Sequence, residues 1–144
     1  MAYNVYSLSD CRAVLAHPDV GAANLHLCGH GKITISSAGD LTSHTMTADG
    51  YVVVNKLKST NGTITIEIPQ DGQLDEFFRH WIRWQKNSQN PSRVALGTLT
   101  IQDVTGGLTV VCTGVTLQKM PDRVFDRTAT NLVVTLLATT ITEQ

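Results

Sequence analysis

The stretch STNGTITIEIPQDGQLDEFFRHWIRWQKN, residues 59–87, places a strand and a helix next to each other with almost no linker. From Thr63 to Ile68, polar side chains and isoleucines alternate strictly, which predicts a strand with one buried face. Pro69 lacks a backbone hydrogen-bond donor and therefore ends this strand. Asp71 is then placed to cap a helix.

The helix predicted over residues 71–87 has one apolar stripe. Its large apolar side chains recur at i, i+3, i+4, i+7 and i+8, and they are Leu74, Phe77, Phe78, Trp81 and Ile82. This period is typical of a helix that buries one face. Acidic residues in the first turn and basic residues near the end complement the helix dipole, and Asp75 and Arg79 are spaced for an ion pair. No other segment shows this period, so we expect one long helix.

The rest of the chain predicts strands, because short runs of β-branched residues alternate with turns rich in Gly, Pro, Asn and Asp. The extended segments expected outside the central stretch are 11–16, 24–27, 33–36, 94–102, 108–119 and 131–141. Residues 94–102 and 108–119 form the clearest hairpin, with a bend at Gly114. Residues 131–141 are apolar enough to be buried on both faces. The predicted fold is mainly β, a β-sandwich or barrel with one flanking α-helix.

Residues 37–58 predict a long β-hairpin that lacks a sustained amphipathic pattern. Asp49 and Gly50 favour a tight turn of type I′ between its strands. The YVVV run that follows, residues 51–54, is exposed unless something covers it, and an exposed apolar edge strand promotes aggregation. We therefore expect another chain to cover this hairpin.

Length and charge limit the classes of protein that fit. The chain has 144 residues, of which 42% are hydrophobic, so one domain spanning residues 1–144 is expected. Eleven Lys and Arg against 12 Asp and Glu give a net charge of -1, which provides no global basic field for binding nucleic acid.

Residues 1–10 are expected to form a short aromatic arm. They do not resemble a secretory signal, and no stretch approaches the roughly 18 apolar residues of a membrane span, so a soluble protein made in the cytosol is expected.

Candidate metal ligands and cysteine pairs are few. His26, Cys28 and His30 alternate along a predicted strand and would point the same way, but their spacing is not a standard zinc pattern. We interpret them as ordinary strand and loop residues. The chain has three cysteines, Cys11, Cys28 and Cys112. Their odd number and wide spacing argue against a disulfide framework.

Catalytic motifs are also missing from the sequence. Ser43 and His44 adjoin each other with Asp40 nearby, but neighbours in sequence do not make a triad. The oppositely charged residues at 122–127 are interpreted as solvated ion pairs. Trp84 is expected at the edge of the buried helix stripe rather than on a ligand platform. The sequence therefore predicts neither an enzyme nor a cofactor.

Four short motifs are spread over most of the chain. They are YSLSD at 6–10, MTADG at 46–50, KSTNGTITIEI at 58–68 followed by a leucine-bearing helix, and LTIQD through VVCTGVTLQKMPD at 99–122. Taken together, they resemble the tail tube proteins of contractile-tailed bacteriophages, in particular a group of phage structural proteins with an N-terminal YSL-x-D.

This resemblance implies a structural protein. Six copies would form a ring whose inner strands join into one barrel, and stacked rings would form a tube for DNA ejection inside a contractile sheath. If each copy supplied four strands, about 24 strands at about 4.8 Å would give a diameter of at least ~37 Å, enough for duplex DNA. The implied partners are further copies, the sheath protein, the baseplate hub and the tail terminator, with duplex DNA passing without specific binding. The implied location is the virion tail after synthesis in the host cytoplasm, with no membrane.

The resemblance also suggests which residues meet neighbours and which line the lumen. The expected inter-subunit contacts are Tyr3, Tyr6, Asp40, Met46, Asp49, Tyr51 and Val53. The candidate lumen-facing residues are Thr63, Thr65 and Glu67, and Glu67 is expected to face lumen or solvent rather than the helix. The lumen should be neutral to acidic, because a lining of lysines would hold DNA by releasing phosphate counterions.

Two other classes stay open. A monomeric β-sandwich module that binds a carbohydrate or a receptor would be a soluble monomer with an exposed aromatic platform. A small hydrolase or metal enzyme would be built on His26, Cys28 and His30. Oligomeric state separates the first class from a tube protein, and metal analysis tests the second.

Overall fold

The structure is a computed structural model, and it describes residues 11–25, 32–70, 72–103, 107–128 and 130–143. Within these residues the chain forms ten strands, one α-helix and one short 3₁₀-helix. The strands are β1 (Cys11–His17), β2 (Gly21–Asn24), β3 (Lys32–Ser37), β4 (Thr42–Met46), β5 (Val52–Lys56), β6 (Gly62–Pro69), β7 (Gly97–Asp103), β8 (Thr109–Leu117), β9 (Asn131–Ala138) and β10 (Thr140–Glu143). The helices are α1 (Gln73–Asn87) and the 3₁₀-helix (Pro91–Leu96). The predicted fold, mainly β with one long helix and a long hairpin, is confirmed.

Eight strands form one antiparallel sheet in the order β2-β1-β7-β8-β9-β6-β3, with β10 paired beside β8. The sheet has two halves that share β8. The first part of β8 pairs with β7 and β10, whereas Thr116 and Leu117 pair with β9. Buried side chains from both halves belong to the same hydrophobic cluster, so the sheet folds around one core.

The two halves meet at a bend centred on Gly114. The pairing of β7 with β8 shifts by one residue there, and Gly114 has a φ of 65°, as in a bulge that uses a glycine. Thr139 lies opposite and separates β9 from β10. Its N–H donates to the carbonyl of Thr113 at 3.0 Å, and its hydroxyl donates to the carbonyl of Gly114 at 3.1 Å. The bend predicted at Gly114 is therefore present.

The core lies between α1 and the sheet. Ile64, Ile66 and Ile68 of β6 are completely buried, as the alternating pattern predicts. The fully buried side chains of the α1 stripe are Leu74, Phe78 and Trp81, while Phe77 and Ile82 are partly buried at its margins. The helix is also fastened at its end, because the Gln85 side chain donates to the carbonyl of Leu117 at 3.0 Å and accepts its N–H at 3.3 Å.

The prediction that residues 131–141 are buried on both faces is wrong. Alternate residues of β9 are buried, but Val133 and Leu137 remain 46% and 39% exposed. An antiparallel sheet needs only one face on the core, and α1 covers only one side of this sheet. The single chain therefore leaves the other face of β9 uncovered.

Three predicted boundaries differ from the structure. The N-cap of α1 is Gly72, which makes no side-chain cap hydrogen bond, and Asp71 lies outside the described residues. The strand predicted from residue 94 begins only at Gly97, because Asn90 caps the 3₁₀-helix by accepting the N–H of Ser92 at 3.2 Å. The partner of β1 begins at residue 21 rather than 24, because the intervening turn is short.

A buried ion pair holds the crossover segment, residues 118–128, against α1. Arg123 donates to both carboxylate oxygens of the fully buried Asp75, at 2.6 and 3.0 Å. Arg79 lies 3.7 Å from the same carboxylate, so the predicted Asp75–Arg79 pair is present but longer. The interpretation of residues 122–127 as solvated ion pairs is wrong for Arg123, since its partner comes from a helix 48 residues earlier. Bidentate pairing of this kind fixes geometry as well as charge.

Replacing Gly114 by alanine should destabilise the protein more than replacing Gly107. Both residues have positive φ, at 65° and 75°, but only at Gly114 would a Cβ atom meet another side chain, that of Thr139. We expect Gly107→Ala to lower the free energy of unfolding by about 1–2 kcal/mol and Gly114→Ala by at least ~1 kcal/mol more. Denaturant unfolding measures both values. Equal losses would show that the bend tolerates a side chain.

Replacing Arg123 by methionine should lower the free energy of unfolding by about 2–3 kcal/mol, because the buried carboxylate of Asp75 loses its bidentate partner. The matched control is Arg127→Met, which changes an exposed arginine of the same segment and should stay within ~0.5 kcal/mol of the unmodified protein. Both are measured by denaturant unfolding at neutral pH. If the two variants are equally stable, the ion pair does not hold the crossover segment.

Candidate functional site

The β4–β5 hairpin forms a two-stranded sheet of its own. Its strands pair from Thr42 with Lys56 to Met46 with Val52, so the hairpin predicted over residues 37–58 is present. The connection is a three-residue loop, 48–50, rather than the two-residue type I′ turn expected. Its closing bond runs from the N–H of Thr47 to the carbonyl of Tyr51 at 2.8 Å, and Gly50 adopts a φ of 85°.

Apolar side chains on this hairpin segment are unusually exposed. It holds seven of the fifteen large hydrophobic side chains that are exposed in the described residues. These seven are Leu41, Met46, Tyr51, Val52, Val53, Val54 and Leu57. Met46 and Tyr51 are each 74% exposed. A lone two-stranded hairpin is marginally stable in water, and exposed apolar patches of this kind mark interaction sites.

The pairing register divides these residues between the two faces of the hairpin. Met46 stands opposite Val52, and Val54 follows on the same face. Val53 lies on the other face with Asn55, whose amide donates to the hydroxyls of two residues on β4, at 3.0 and 3.3 Å. Among the paired residues 42–46 and 52–56, the face with Met46 therefore carries more apolar side chains.

The residues predicted to meet other subunits are placed as follows. Asp40, Met46, Asp49, Tyr51 and Val53 are all exposed on the hairpin segment. Tyr3 and Tyr6 lie outside the described residues. Their contact with another copy stays a prediction. The prediction omitted Val52 and Val54, although the YVVV run contains the signal that would have identified them.

A second surface is the face of the main sheet that points away from the core, named here the threonine face. Thr63, Thr65 and Glu67 lie on it, because the alternating isoleucines of β6 point into the core. Thr34, Thr65 and Thr135 stand side by side across β3, β6 and β9. Other members are Ser36, Thr98, Thr100, Thr113 and Thr116. Glu67 thus lies on the side opposite α1, as predicted, whereas its position in a lumen stays a prediction.

Charge is sparse on the threonine face. Among the described strand residues, its charged members are Arg12, Lys32 and Glu67, two cations and one carboxylate. Lys32 is in register with Glu67 on the neighbouring strand. This balance gives a nearly neutral surface, on which the hydroxyl groups stand beside the exposed apolar side chains of Val14, Val133 and Leu137.

His17 forms a buried polar site that sequence reasoning missed. Its ring lies 4.5 Å from Trp84 and 5.6 Å from Trp81, measured between ring centroids. Its Nδ1 accepts the N–H of Asp19 at 3.1 Å, so Nε2 carries the proton and donates to the carbonyl of Arg93 at 3.0 Å. With both nitrogens engaged within the protein, His17 is a structural residue.

The same contact region contains an accessible ion pair between Asp19 and Arg93. Two guanidinium nitrogens donate to the two carboxylate oxygens at 2.6 Å each. These hydrogen bonds lower the pKa of Asp19 and raise that of Arg93. Together with His17, the pair ties the 3₁₀-helix to the turn after β1.

The described residues contain no cluster of three or more His, Cys, Asp or Glu that could hold a metal ion. His26, Cys28 and His30 lie outside the described residues, so the metal hypothesis is not tested there. Burial raises the pKa of the Cys112 thiol. Such a raised pKa makes a thiol unreactive.

Ser43 and His44 are consecutive residues of β4, so their side chains point to opposite faces. The hydroxyl of Ser43 accepts a hydrogen bond from Asn55 at 3.3 Å. The two residues therefore do not form a catalytic pair. In the part of the chain that the structure describes, no helix is long and apolar enough to cross a membrane.

The fold is shared with components of contractile injection systems. A chain of the PVC sheath–tube complex in the extended state, from an extracellular contractile injection system, has 17% identity and a TM-score of 0.57, covering 92% of this chain and 88% of that one. A chain of the PVC sheath/tube terminator in the extended state has 16% identity and a TM-score of 0.60, covering 99% and 98%. A chain of the six-fold symmetrised baseplate of the anti-feeding prophage has 7% identity and a TM-score of 0.54, covering 100% and 97%. Because these identities are low, the structural similarity shows a shared fold and nothing further.

Sequence comparison gives the family. No curated protein sequence matches this chain significantly. The sequence model described as the bacteriophage PhiTE tail tube protein matches residues 3–144, which confirms the resemblance seen in the short motifs. Because this match spans nearly the whole chain, the protein belongs to the bacteriophage PhiTE tail tube protein family.

Proposed function

We propose that this protein is the structural subunit of the inner tube of a contractile phage tail, assembled from rings of six copies and serving as a conduit for DNA ejection. The observation that carries this proposal is the uncovered β4–β5 hairpin, whose apolar side chains are exposed on both faces. Identical neighbours in the same ring or the next ring bury them. The six-fold symmetry of the baseplate that contains a similar chain supports the ring size.

The sheet topology suits closure between copies. One half of the main sheet consists of β8, β9, β6 and β3, with β3 at the end of the order. These four strands match the number needed from each subunit for a barrel of about 24 strands and a diameter of at least ~37 Å. Pairing at β3 with a neighbouring copy removes an exposed sheet edge.

The part of the threonine face that lies on β8, β9, β6 and β3 then lines the lumen. Its near neutrality suits passage of duplex DNA, because few cations are available to release phosphate counterions and hold the DNA. Thr63, Thr65 and Glu67 lie at the centre of this lining, on β6.

The proposed partners are the sheath protein, the baseplate hub and the tail terminator, in the tail of a virion built in the host cytoplasm. Similar chains occur in a sheath–tube complex, a terminator and a baseplate, which supports these partners. The subunit's role is structural rather than enzymatic. The competing hypothesis of a monomeric binding module calls for an aromatic platform, but Tyr51 and Phe125, the exposed aromatic residues of the described part, lie on separate segments.

Electron microscopy of the purified protein tests the tube directly. We expect hollow tubes or six-membered rings, with the hairpin segment buried between copies. A well-ordered monomer at every concentration, seen by light scattering and by microscopy, would overturn the proposal and favour the binding module.

The variant Val53→Glu should abolish assembly without unfolding the protein. Val53 is 47% exposed in the single chain, so a carboxylate is tolerated there, but burial between copies would leave the charge without a partner. The control Val124→Glu places the same charge at a side chain that is 54% exposed on the crossover segment, and it should assemble normally. Light scattering and negative-stain images at matched concentrations compare the two, with circular dichroism to check the fold. Equal assembly would exclude the hairpin from the contacts between copies.

The variants Glu67→Lys and Glu76→Lys separate the lumen from the outer surface. Both make the same change in charge, but Glu67 lies on the threonine face and Glu76 is exposed on α1. Tubes assembled in the presence of a short DNA duplex and then treated with nuclease should retain protected DNA for Glu67→Lys only, because the added lysines hold phosphates inside. Protection by Glu76→Lys instead, or by neither variant, would argue against a lumen lined by the threonine face.

A further inference from the structure

A groove of about 450 Å³ lies between one flank of α1 and the crossover segment. It is lined by Arg79, Ile82, Arg83 and Lys86 of α1 and by Met120, Pro121 and Arg123 of the crossover segment. Arg79 and Arg123 take part in the ion pairs with Asp75 described above, whereas Arg83 has no role in the contacts described so far. The volume of the groove is that of a site for several side chains.

The groove concentrates positive charge. Four cationic side chains line it, while Asp75, which pairs with Arg79 and Arg123, supplies one carboxylate. These five groups together carry three net positive charges, in a chain whose net charge is -1. Asp75, Arg79, Ile82 and Lys86 follow one another at helical spacing and form a column along the flank of α1.

The cations differ in how far they are already neutralised. Arg123 and Arg79 share the carboxylate of Asp75. Lys86 places its Nζ 3.0 Å from the sulfur of Met120, which is only a weak acceptor, and Arg83 is exposed. Lys86 and Arg83 therefore present most of the positive charge that a ligand would meet.

The groove also has an apolar part. Ile82 and Pro121 are partly buried, and Met120 is 54% exposed. Methionine adapts its shape to different apolar partners. Such a lining suits a ligand that carries apolar groups beside its negative charges. The phosphate groups of a nucleic-acid backbone carry negative charge without such apolar groups.

The walls of the groove are held in place before any ligand arrives. The bidentate Arg123–Asp75 pair holds the crossover segment, and Gln85 fastens α1 to the end of β8 through both its side-chain hydrogen bonds. A preformed site loses less conformational entropy on binding.

We propose that this groove docks an acidic, amphipathic segment of another protein, with carboxylates paired to Arg83 and Lys86 and an apolar side chain against Ile82 and Met120. This goes beyond the proposed function, because it concerns the helix side of the molecule and applies to a single copy. The hairpin tip of a second copy is a poorer match, since it offers one carboxylate, Asp49, with Lys56 on the same hairpin.

The test uses the full-length protein and a short fluorescein-labelled peptide of glutamate, leucine and alanine, with binding followed by fluorescence anisotropy. We expect saturable binding that weakens as salt is added. The variant Arg83→Glu should weaken it about tenfold, equivalent to ~1.4 kcal/mol. The control Arg127→Glu makes the same change in charge on an exposed residue outside the groove and should change the affinity less than about twofold.

Two further peptides test the chemistry of the ligand. Glutamine in place of glutamate should abolish binding, and alanine in place of leucine should weaken it. Equal binding of the glutamine peptide, or equal losses for Arg83→Glu and Arg127→Glu, would overturn the proposal. Displacement of the peptide by a DNA duplex or by phosphatidylserine vesicles at lower concentration than by unlabelled peptide would assign the groove to phosphate instead, and would overturn it as well.

Discussion

The packing of α1 against β6 is the constraint on which the rest of the structure depends. Pro69 ends the strand only a few residues before the helix begins, so α1 must lie over the face that carries Ile64, Ile66 and Ile68. Each large side chain buried there contributes roughly 1.5–3 kcal/mol. Because strands of one sheet share their faces, β3 and β9 must turn their buried apolar residues the same way, and the other face carries hydroxyl groups together with Val133 and Leu137.

This one-sided core leaves the single chain incomplete. The face of β9 with Val133 and Leu137 stays uncovered, and within the described residues the β4–β5 hairpin shares no strand pairing with the main sheet. The exposed hairpin is costly for a monomer in water but suits a subunit whose neighbours are copies of itself, whereas Val133 and Leu137 lie on the threonine face beside Glu67 and Thr63. Membership of a tail tube family and a fold found in contractile injection systems agree with that interpretation.

Long-range polar contacts complete the fold where the hydrophobic core does not reach. Asp75 and Arg123 hold the crossover segment on α1, while His17, with Asp19 and Arg93, holds the 3₁₀-helix at the far end of the core. The buried carboxylate of Asp75 and the buried ring of His17 each form hydrogen bonds to a segment that has few buried apolar residues. These hydrogen bonds fix the position of that segment. The groove between α1 and the crossover segment results from the Asp75–Arg123 pair, because this pair holds the segment that forms one wall of the groove.

The sequence by itself determined the features that depend on local period and turn chemistry. These include the alternation in β6, the apolar stripe of α1, the bend at Gly114, the exposed hairpin and, through short motifs, the family. Only the tertiary structure decided which side of β9 is buried, which carboxylate Arg123 meets and why His17 is buried. Sequence periodicity shows how side chains alternate between neighbouring positions of the chain. The contacts of Arg123 and His17, in contrast, are made between residues tens of positions apart, and they depend on how the sheet and the helix pack.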